Sequence, residues 1–178
     1  MVAKKAPIPI AWVQYPPLQE EMDRTTFSHE EHQVTSLARY SLEARVLGVK
    51  KYRDDLAPLD FALGWQEMSH PDHYKKLNIK QSHRWYTYSW GQDGPPIPLK
   101  DIIVQSANTH IIPKDRDTLR QLKKVKEGDV VKLSGKLVLV SKKENGRTFS
   151  WKSSLSRRDS GAGACELFYV EHVEIVGR

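Results

Sequence analysis

The sequence contains little cysteine and no long apolar run. A single cysteine among 178 residues excludes an intrachain disulfide and any metal site built from several cysteines. No window approaches the run of about 20 apolar residues that a transmembrane helix needs. The segment 7–13, PIPIAWV, is too short and too rich in proline to be the core of a signal peptide. We therefore predict a chain that is soluble as given, without a transmembrane segment, a metal site or a cofactor, and of unknown location.

Charge is ordinary in amount but uneven in position. The chain is 28% charged and 39% hydrophobic, as in soluble globular proteins, and its length is enough for one domain with its own core. The net charge is +6, and residues 114–158 hold 14 Lys and Arg against 5 Asp and Glu. This basic region favours an acidic protein, an anionic ligand or nucleic acid as partner. Alternatively, its lysines only protect exposed strands against aggregation.

The C-terminal part of the chain shows the alternation that is typical of antiparallel strands. Apolar and polar residues alternate over 131–139, which places the apolar side chains on one face of a strand. Asn145-Gly146 supplies a hairpin turn, because these residues tolerate the positive φ of tight turns. A second strand follows, and a last strand begins at Cys165 and bends near Glu171, where its alternation changes face.

We predict two parts for the chain. Residues 1–26, which are polar and punctuated by proline, form an extended N-terminal arm or linker, and residues 27–178 form a single globular domain. Earlier elements of this domain are, in order, a strand at 34–51 that changes face partway, a helical segment at 56–77 with a fresh helix start at 69–72, an aromatic strand at 84–90, a strand at 102–112 and a helix at 115–124. The fold class is therefore α+β, a small antiparallel β-barrel of the oligonucleotide-binding type (OB-like) with two or three short helices. An open sheet with helices on one face is the alternative.

Three residues carry a hypothesis of catalysis. A cysteine becomes a nucleophile when a histidine near it in space takes its proton, so Cys165 would be the nucleophile and His110 the base. Asn108 lies two residues before His110, on the same strand face, and would orient its ring. The segment 161–164, rich in Gly and Ala, would bring backbone N–H groups close to a substrate. The alternative is a core cysteine, since free cysteine is among the most buried residue types.

A second group of residues predicts a contact surface. Arg157 and Arg158 can bind phosphate or carboxylate groups, and Lys152 adds a further charge. With Trp85 and Tyr88 they would form a stacking and electrostatic surface for single-stranded nucleic acid. Aromatic residues in strands are alternatively core residues or members of cross-strand pairs.

Two histidine pairs have the three-residue spacing that would align them on a helix: His29 with His32, and His70 with His73. Zinc sites use such ligands, but neither pair has the flanking residues of a metalloprotease motif, so surface histidines are the alternative. Three further residues have no assigned partner and are predicted to be structural: Asp60, Trp65 and Asp159.

Five ordered motifs resemble a family of small uncharacterised bacterial proteins. The motifs are LAPLDFALGWQEMSH, IKQSHRWYTYSW, QSANTHIIP, EGDVVKLSGKLVLV and SSLSRRDSGAGACELFYVE, and the resemblance extends from about Tyr40 to Val173. Members of that family often carry a hydrophobic N-terminal segment and have no assigned activity. The resemblance therefore implies a bacterial protein and supplies no catalytic residues. Where such an N-terminal segment anchors the domain, the resemblance implies a periplasmic or membrane-tethered location.

We thus predict a non-catalytic binding or accessory module with a basic contact surface. The first alternative is a hydrolase or transferase in which Cys165, His110 and Asn108 act together. The second alternative is a barrel that binds single-stranded nucleic acid, for which affinity should fall steeply with salt.

Overall fold

Strands dominate the fold. The computed structural model describes residues 9–158 and 165–178. In these ranges the strands are β1 (Leu18–Glu21), β2 (Thr26–His29), β3 (His32–Lys51), β4 (Leu59–Gly64), β5 (Asn78–Ser82), β6 (Trp85–Ser89), β7 (Ser106–Pro113), β8 (Val130–Glu144), β9 (Arg147–Lys152) and β10 (Glu166–Gly177). The helices are α1 (Pro71–Tyr74), α2 (Leu99–Val104) and α3 (Arg116–Leu122), with a 3-10 turn at Glu67–Ser69. Such a sheet-rich chain with few short helices is compatible with the predicted α+β class.

Five of the described strands pair in a closed circuit. β3 pairs with β4 and β4 pairs with β7, both antiparallel, and β7 pairs with β10 in parallel. β10 then pairs with β8, and β8 returns to β3, both antiparallel. β1 and β2 extend the sheet along β3, β9 extends it along β8, and β5 and β6 form a separate hairpin. The main sheet is therefore a ring of strands with additional strands attached at its edges.

β3 is long enough to take part in two sides of this ring. Residues 33–45 pair with β8, and residues 45–51 pair with β4. The register shifts at Leu37 and again at Leu47, and each shift bends the strand. The prediction of a long strand at 34–51 that changes face partway is confirmed, but it is not the first strand of the chain, because β1 and β2 precede it.

β8 and β10 approach each other closely at Gly135. A Cβ atom at this position would lie 2.0 Å from the carbonyl oxygen of Tyr169, so any side chain there would clash with backbone. The register of β10 against β8 shifts directly afterwards, between Val170 and His172. The bend predicted near Glu171 is therefore confirmed, and glycine at position 135 is what allows the two backbones to pass.

Buried apolar side chains from every strand of the ring form one core cluster. Its strand members are Tyr40, Leu42, Ala44, Val46, Leu59, Phe61, Leu63, Ile111, Val130, Val131, Leu133, Leu137, Phe168 and Val170. A second cluster joins Leu56 and Ala57, in the loop after β3, to Leu167 of β10. A third packs the β5–β6 hairpin and α2 against Ala62 of β4 and Leu47. This third cluster matters for the site, because it holds the hairpin against the outside of the ring.

Two local predictions are confirmed. Asn145 and Gly146 form the turn between β8 and β9, with φ of 50° and 73°. The helix predicted at 115–124 is α3, and the carboxylate of Asp115 caps it by accepting a 2.8 Å hydrogen bond from the backbone N–H of Thr118.

Two predicted elements are wrong. Residues 56–77 contain β4 instead of a long helix, and all six residues of β4 are buried. A strand buried on both faces lacks the alternation of period two, so its apolar run resembles part of a helical stripe. The fresh helix start predicted at 69–72 does occur, as α1. The strand predicted at 102–112 is divided between the end of α2 and β7.

Part of the predicted N-terminal arm belongs to the sheet. β1 lies within it and pairs with β3, where Leu18 is the partner of Ser41. Val13 is buried and forms an isolated bridge with Gln66. The first part of the predicted arm, residues 1–8, lies outside the described residues.

Candidate functional site

Asp60 is the centre of a buried polar cluster. It lies on β4 beside His110 of β7, and the two residues are cross-strand partners. Its side chain is fully buried, and Oδ1 lies 2.9 Å from Nδ1 of His110. Asn108 donates a 3.2 Å hydrogen bond from Nδ2 to Oδ2 of Asp60. Because a buried carboxylate is costly without a cationic partner, this cluster needs a positive charge.

Arg84, in the turn between β5 and β6, supplies that charge. Its Nη1 donates to Oδ1 of Asp60 at 2.7 Å. Its Nη2 donates to Oδ2 of Asp54 at 3.0 Å and to the carbonyl oxygen of Ala57 at 2.8 Å. The guanidinium also stacks on Tyr52, with Cζ 3.8 Å from the ring centre. Arg84 therefore joins three parts of the chain through charge-assisted hydrogen bonds and stacking.

His110 lies between this cluster and Trp151. The two ring centres are 4.8 Å apart, with the planes inclined by 46°. Although Nδ1 lies 2.9 Å from Oδ1 of Asp60, it makes no hydrogen bond with the described residues. The contact with the carboxylate is therefore electrostatic. A histidine next to a buried carboxylate is the arrangement that many general bases use.

The β5–β6 hairpin rests on this part of β4 and β7 through Gln81. Its Nε2 donates to Oδ1 of Asn108 at 2.9 Å and to the carbonyl oxygen of Asp60 at 3.3 Å. A Cβ atom at Gly48 would lie 2.5 Å from Oε1 of Gln81, so glycine leaves room for this side chain. The hairpin is thereby held against the face of the sheet that carries Asp60 and His110.

The structure brings two of the three predicted catalytic residues together. His110 and Asn108 both contact Asp60, which the sequence left without a partner. Cys165 is half-buried directly before β10, and its carbonyl oxygen accepts a 3.0 Å hydrogen bond from the N–H of Ser154. The Gly/Ala segment 161–164 lies outside the described residues. The pairing of Cys165 with His110 therefore stays a prediction.

Arg157 and Glu166 form a second buried cluster, beside Tyr40. Glu166 is 1% exposed, and Arg157 forms an ion pair with its Oε1. The same guanidinium donates to the hydroxyl of Tyr40 and to the carbonyl oxygen of Ser154, both at 3.2 Å. Burial raises the pKa of Tyr40, and the nearby charge of Arg157 opposes this rise. The charge of Arg157 is thus used inside the protein.

The other predicted contact residues divide between surface and interior. Lys152 and Arg158 are exposed, and Trp85 is half exposed at 50%. Tyr88 lies on the opposite face of β6 and is half-buried against the third core cluster. The predicted Asp159 lies outside the described residues, and Trp65 is buried in the main core, as a structural role predicts.

Sequence reasoning missed a second group of cations near Arg84. Lys50 and Lys51 end β3, Arg53 follows them, and Lys80 lies on the outer face of the hairpin; all four side chains are exposed. Arg84 connects these segments to Trp151, whose ring centre lies 5.6 Å from its Cζ. We name the following set the basic-aromatic surface: Lys50, Lys51, Arg53, Lys80, Trp85, Lys152 and Arg158. The Lys-Lys-x-Arg run was visible in the sequence, but its position next to the β5–β6 hairpin depends on the Arg84 contacts.

The histidine pairs are placed separately, at two distant parts of the chain. His29 and His32 are cross-strand partners at the end of the β2–β3 hairpin. The rings of His70 and His73 lie 5.1 Å apart, and Nδ1 of His73 lies 3.1 Å from Oε2 of Glu67. Within residues 9–158 and 165–178, no group of three or more His, Cys, Asp or Glu side chains is arranged to hold a metal ion.

No family model, no curated protein and no solved structure matches the chain. In the part of the chain that the structure describes, no helix has the length and apolar character to cross a membrane.

Proposed function

We propose that the protein is a non-catalytic binding module and that its basic-aromatic surface takes single-stranded nucleic acid. The observation that carries this proposal is the contact set of Arg84. It holds the end of β3, the β5–β6 turn and the end of β9 side by side, and each of these segments contributes exposed cations or an exposed aromatic ring.

The charges of this region favour an anionic ligand. Asp60 is buried and paired with Arg84, and Asp54 shares the same guanidinium, so this positive charge partly compensates the two carboxylates, while Asp55 in the same loop is exposed. The exposed Lys50, Lys51 and Lys152 remain available for phosphate groups. A strand of nucleic acid gains affinity by releasing counterions at each such contact.

The aromatic rings favour bases that are not paired. Trp85 exposes half of its surface on the face of the β5–β6 hairpin that also carries Lys80, and each base of a single strand offers a face for stacking. Duplex DNA holds its bases inside the helix and offers only its edges in the grooves. The surface should therefore prefer a single strand to a duplex of the same charge density.

We also propose that the ring is an OB-type barrel. The order of pairing supports this: the first ring strand, β3, pairs with the second and the fourth, and the third and fifth run parallel, with α3 between the third and the fourth. OB-folds bind oligonucleotides on the second and third strands and on the loops that follow the first and the fourth. Here those strands carry Asp60 and His110, and those loops carry Arg53 and Arg158. This step is an analogy at the level of the fold.

The test is the fluorescence anisotropy of a labelled oligothymidylate, titrated with the protein at several salt concentrations. We expect binding that weakens steeply as salt increases and that exceeds the binding of a duplex of equal length. The double variant Lys50→Ser and Lys51→Ser should bind more weakly and with a smaller salt dependence. The variant Trp85→Ala should also bind more weakly, but with little change in the salt dependence.

The matched control is the double variant Lys123→Ser and Lys124→Ser, in which two exposed lysines at the end of α3 are replaced. It changes the net charge by the same amount as the variant at Lys50 and Lys51. Equal loss in both double variants would mean non-specific attraction to a basic protein and would contradict the proposed surface. Absence of binding at low salt would also contradict it, and an acidic protein would then be the partner class to pursue.

A second candidate function is a Cys–His hydrolase or transferase, favoured by the 2.9 Å approach of Asp60 to Nδ1 of His110. In this proposal Cys165 is the nucleophile, His110 the base and Asn108 a residue that positions the base through Asp60. The rate of Cys165 alkylation against pH tests it. A reactive thiolate well below the ordinary thiol pKa, lost in His110→Ala, supports the enzyme; slow labelling that requires denaturation excludes it.

A further inference from the structure

The turn that carries Arg84 has a conformation that favours other residues. His83 and Arg84 both have positive φ, 51° and 68°, as in the two-residue turns that join antiparallel strands and in which Asn and Gly prevail. A positive φ is unfavourable for residues with bulky side chains and persists where the surroundings fix it. In this conformation the side chain of Arg84 reaches residues of the sheet. The contacts of that side chain, and not the turn propensity of arginine, explain why an arginine occupies this position in the turn.

Within residues 9–158 and 165–178, the hydrogen bonds and ring contacts of the Arg84 side chain are with residues outside its own hairpin. The fork of its guanidinium meets two carboxylates, those of Asp54 and Asp60, and the carbonyl oxygen of Ala57. Tyr52 covers one face at 3.8 Å, and Trp151 lies at 5.6 Å. A guanidinium group accepts such surroundings better than an ammonium ion does. Its planar fork pairs with the two carboxylates, and its flat face stacks on the aromatic ring.

The two carboxylates of this site are held in place by contacts that do not involve Arg84. Oδ1 of Asp54 accepts hydrogen bonds from the N–H groups of Leu56 at 2.8 Å and Ala57 at 2.9 Å. Asp60 is held by Asn108 at 3.2 Å. A site whose walls are fixed in this way loses little entropy when it is filled, so it keeps its shape for a ligand.

We propose that Asp54, Asp60, Tyr52 and Trp151 form a guanidinium-binding cage, which Arg84 fills as a tethered ligand and which takes the guanidinium group of an arginine from outside the hairpin when the side chain of Arg84 is removed. The cage and the proposed nucleic-acid surface share the contacts of Arg84, but the cage binds a cation and the surface would bind an anion, so the two are tested separately. In the complete protein the tether keeps the cage occupied, so the β5–β6 hairpin is locked on the sheet by a ligand that the chain itself supplies.

Chemical rescue of Arg84→Ala tests the cage. The probe is methylguanidinium chloride at low millimolar concentration, and the readouts are the melting temperature and the fluorescence of the protein, to which Trp151 contributes. We expect a saturable increase in melting temperature in the variant and no change in the wild-type protein, whose cage is full. Methylammonium chloride at the same ionic strength should have no such effect, because it lacks the planar fork.

Two matched variants make the test specific. In Arg84→Ala with Asp60→Asn the cage has lost a carboxylate, and rescue should be lost. Arg45→Ala removes another buried arginine, whose Nε and Nη1 donate to the carbonyl oxygens of Ser69 and Gly128, and no carboxylate pairs with it among the described residues. That variant should not be rescued saturably. If Arg84→Ala does not fold, Arg84→Gln takes its place, since glutamine retains part of the side chain and still opens the cage.

Rescue by methylammonium as strong as that by methylguanidinium, rescue that persists without the Asp60 carboxylate, or no rescue in a folded Arg84 variant would each overturn the proposal. None of these outcomes depends on nucleic acid. The oligonucleotide titration can therefore fail while the cage is supported, and the reverse also holds.

Discussion

Asp60 and His110 are cross-strand partners whose side chains meet on the outside of the ring, with Oδ1 of the carboxylate 2.9 Å from Nδ1 of the imidazole. The same carboxylate oxygen accepts the hydrogen bond from Arg84. One buried oxygen therefore connects the strand pair to the hairpin that lies over it, and Asp60 is the residue on which the site depends.

The substitution Asp60→Asn tests this dependence. It leaves the guanidinium of Arg84 without its fully buried partner, and breaking such a pair costs about 3 kcal/mol of the free energy of unfolding. Urea denaturation measures the loss. Asp54→Asn is the control: it affects the same guanidinium, but the Asp54 side chain is 37% exposed, so water compensates for part of the lost contact. An equal loss in both variants would show that burial of Asp60 has no special weight.

The sequence contains enough local information for the turns and for one helix, but not for the elements that tertiary burial decides. Asn145-Gly146 and the cap Asp115 act through their own backbone, so their signals are readable directly. β4 is buried on both faces, and its apolar run gives no period to distinguish a strand from a helix. The closure of the ring between β3 and β8 depends on pairs about 100 residues apart, which no local pattern encodes.

The candidate site was predictable only in part, for the same reason. His110 and Asn108 were identified because alternation places them on one face of a strand. Asp60 and Arg84 had no signal of their own, since their pairing requires the register of β4 against β7 and the folding back of the β5–β6 hairpin. The partners of a buried charge follow from tertiary structure, whereas the residue type alone shows only that a partner is needed.

Gly135→Ala should destabilise the ring at the contact of β8 with β10. The added Cβ would lie 2.0 Å from the carbonyl oxygen of Tyr169, so the two strands would have to separate or shift register. We expect a loss of at least about 2 kcal/mol, as overpacking against backbone produces, or failure to fold. Gly91→Ala is the matched control, because no atom lies within 4 Å of its added Cβ. If both variants melt at the temperature of the wild-type protein, the close approach is wrong.

Stability should fall as the pH decreases through the range in which His29 titrates. His29 packs edge-on against Tyr169, with ring centres 5.3 Å apart. Burial lowers the pKa of His29 below its ordinary value of 6.5, the charge of Glu30 opposes this effect and that of His32 adds to it. Because the unfolded chain binds the proton at a higher pH than the folded chain, the contribution is complete above 6.5 and is lost as the pH falls through the lowered pKa.

Urea midpoints measured from neutral to mildly acidic pH test this expectation. His29→Phe keeps an aromatic ring against Tyr169 but cannot be protonated, so its stability should depend less on pH than that of the wild-type protein. His172→Gln, at an exposed position of β10, should leave the wild-type pH dependence intact. Superimposable pH profiles for the wild-type protein and His29→Phe would contradict the prediction.

The buried pair Arg157–Glu166 should behave differently from an exposed pair in a double-mutant cycle. Arg157→Met leaves Glu166, which is 1% exposed, as an uncompensated buried charge, so it should cost about 3 kcal/mol. Adding Glu166→Leu removes that charge and should recover much of the loss, because an apolar pair can replace a buried ion pair.

The control pair is Lys132–Glu43, whose charged atoms lie 3.9 Å apart at the surface and whose coupling energy should be near zero. Urea denaturation of the single and double variants gives the coupling energy of each pair. Additive effects at both pairs would mean that the ion pair does not fix the loop after β9 to the ring, whereas strong coupling at Arg157–Glu166 alone would establish that it does.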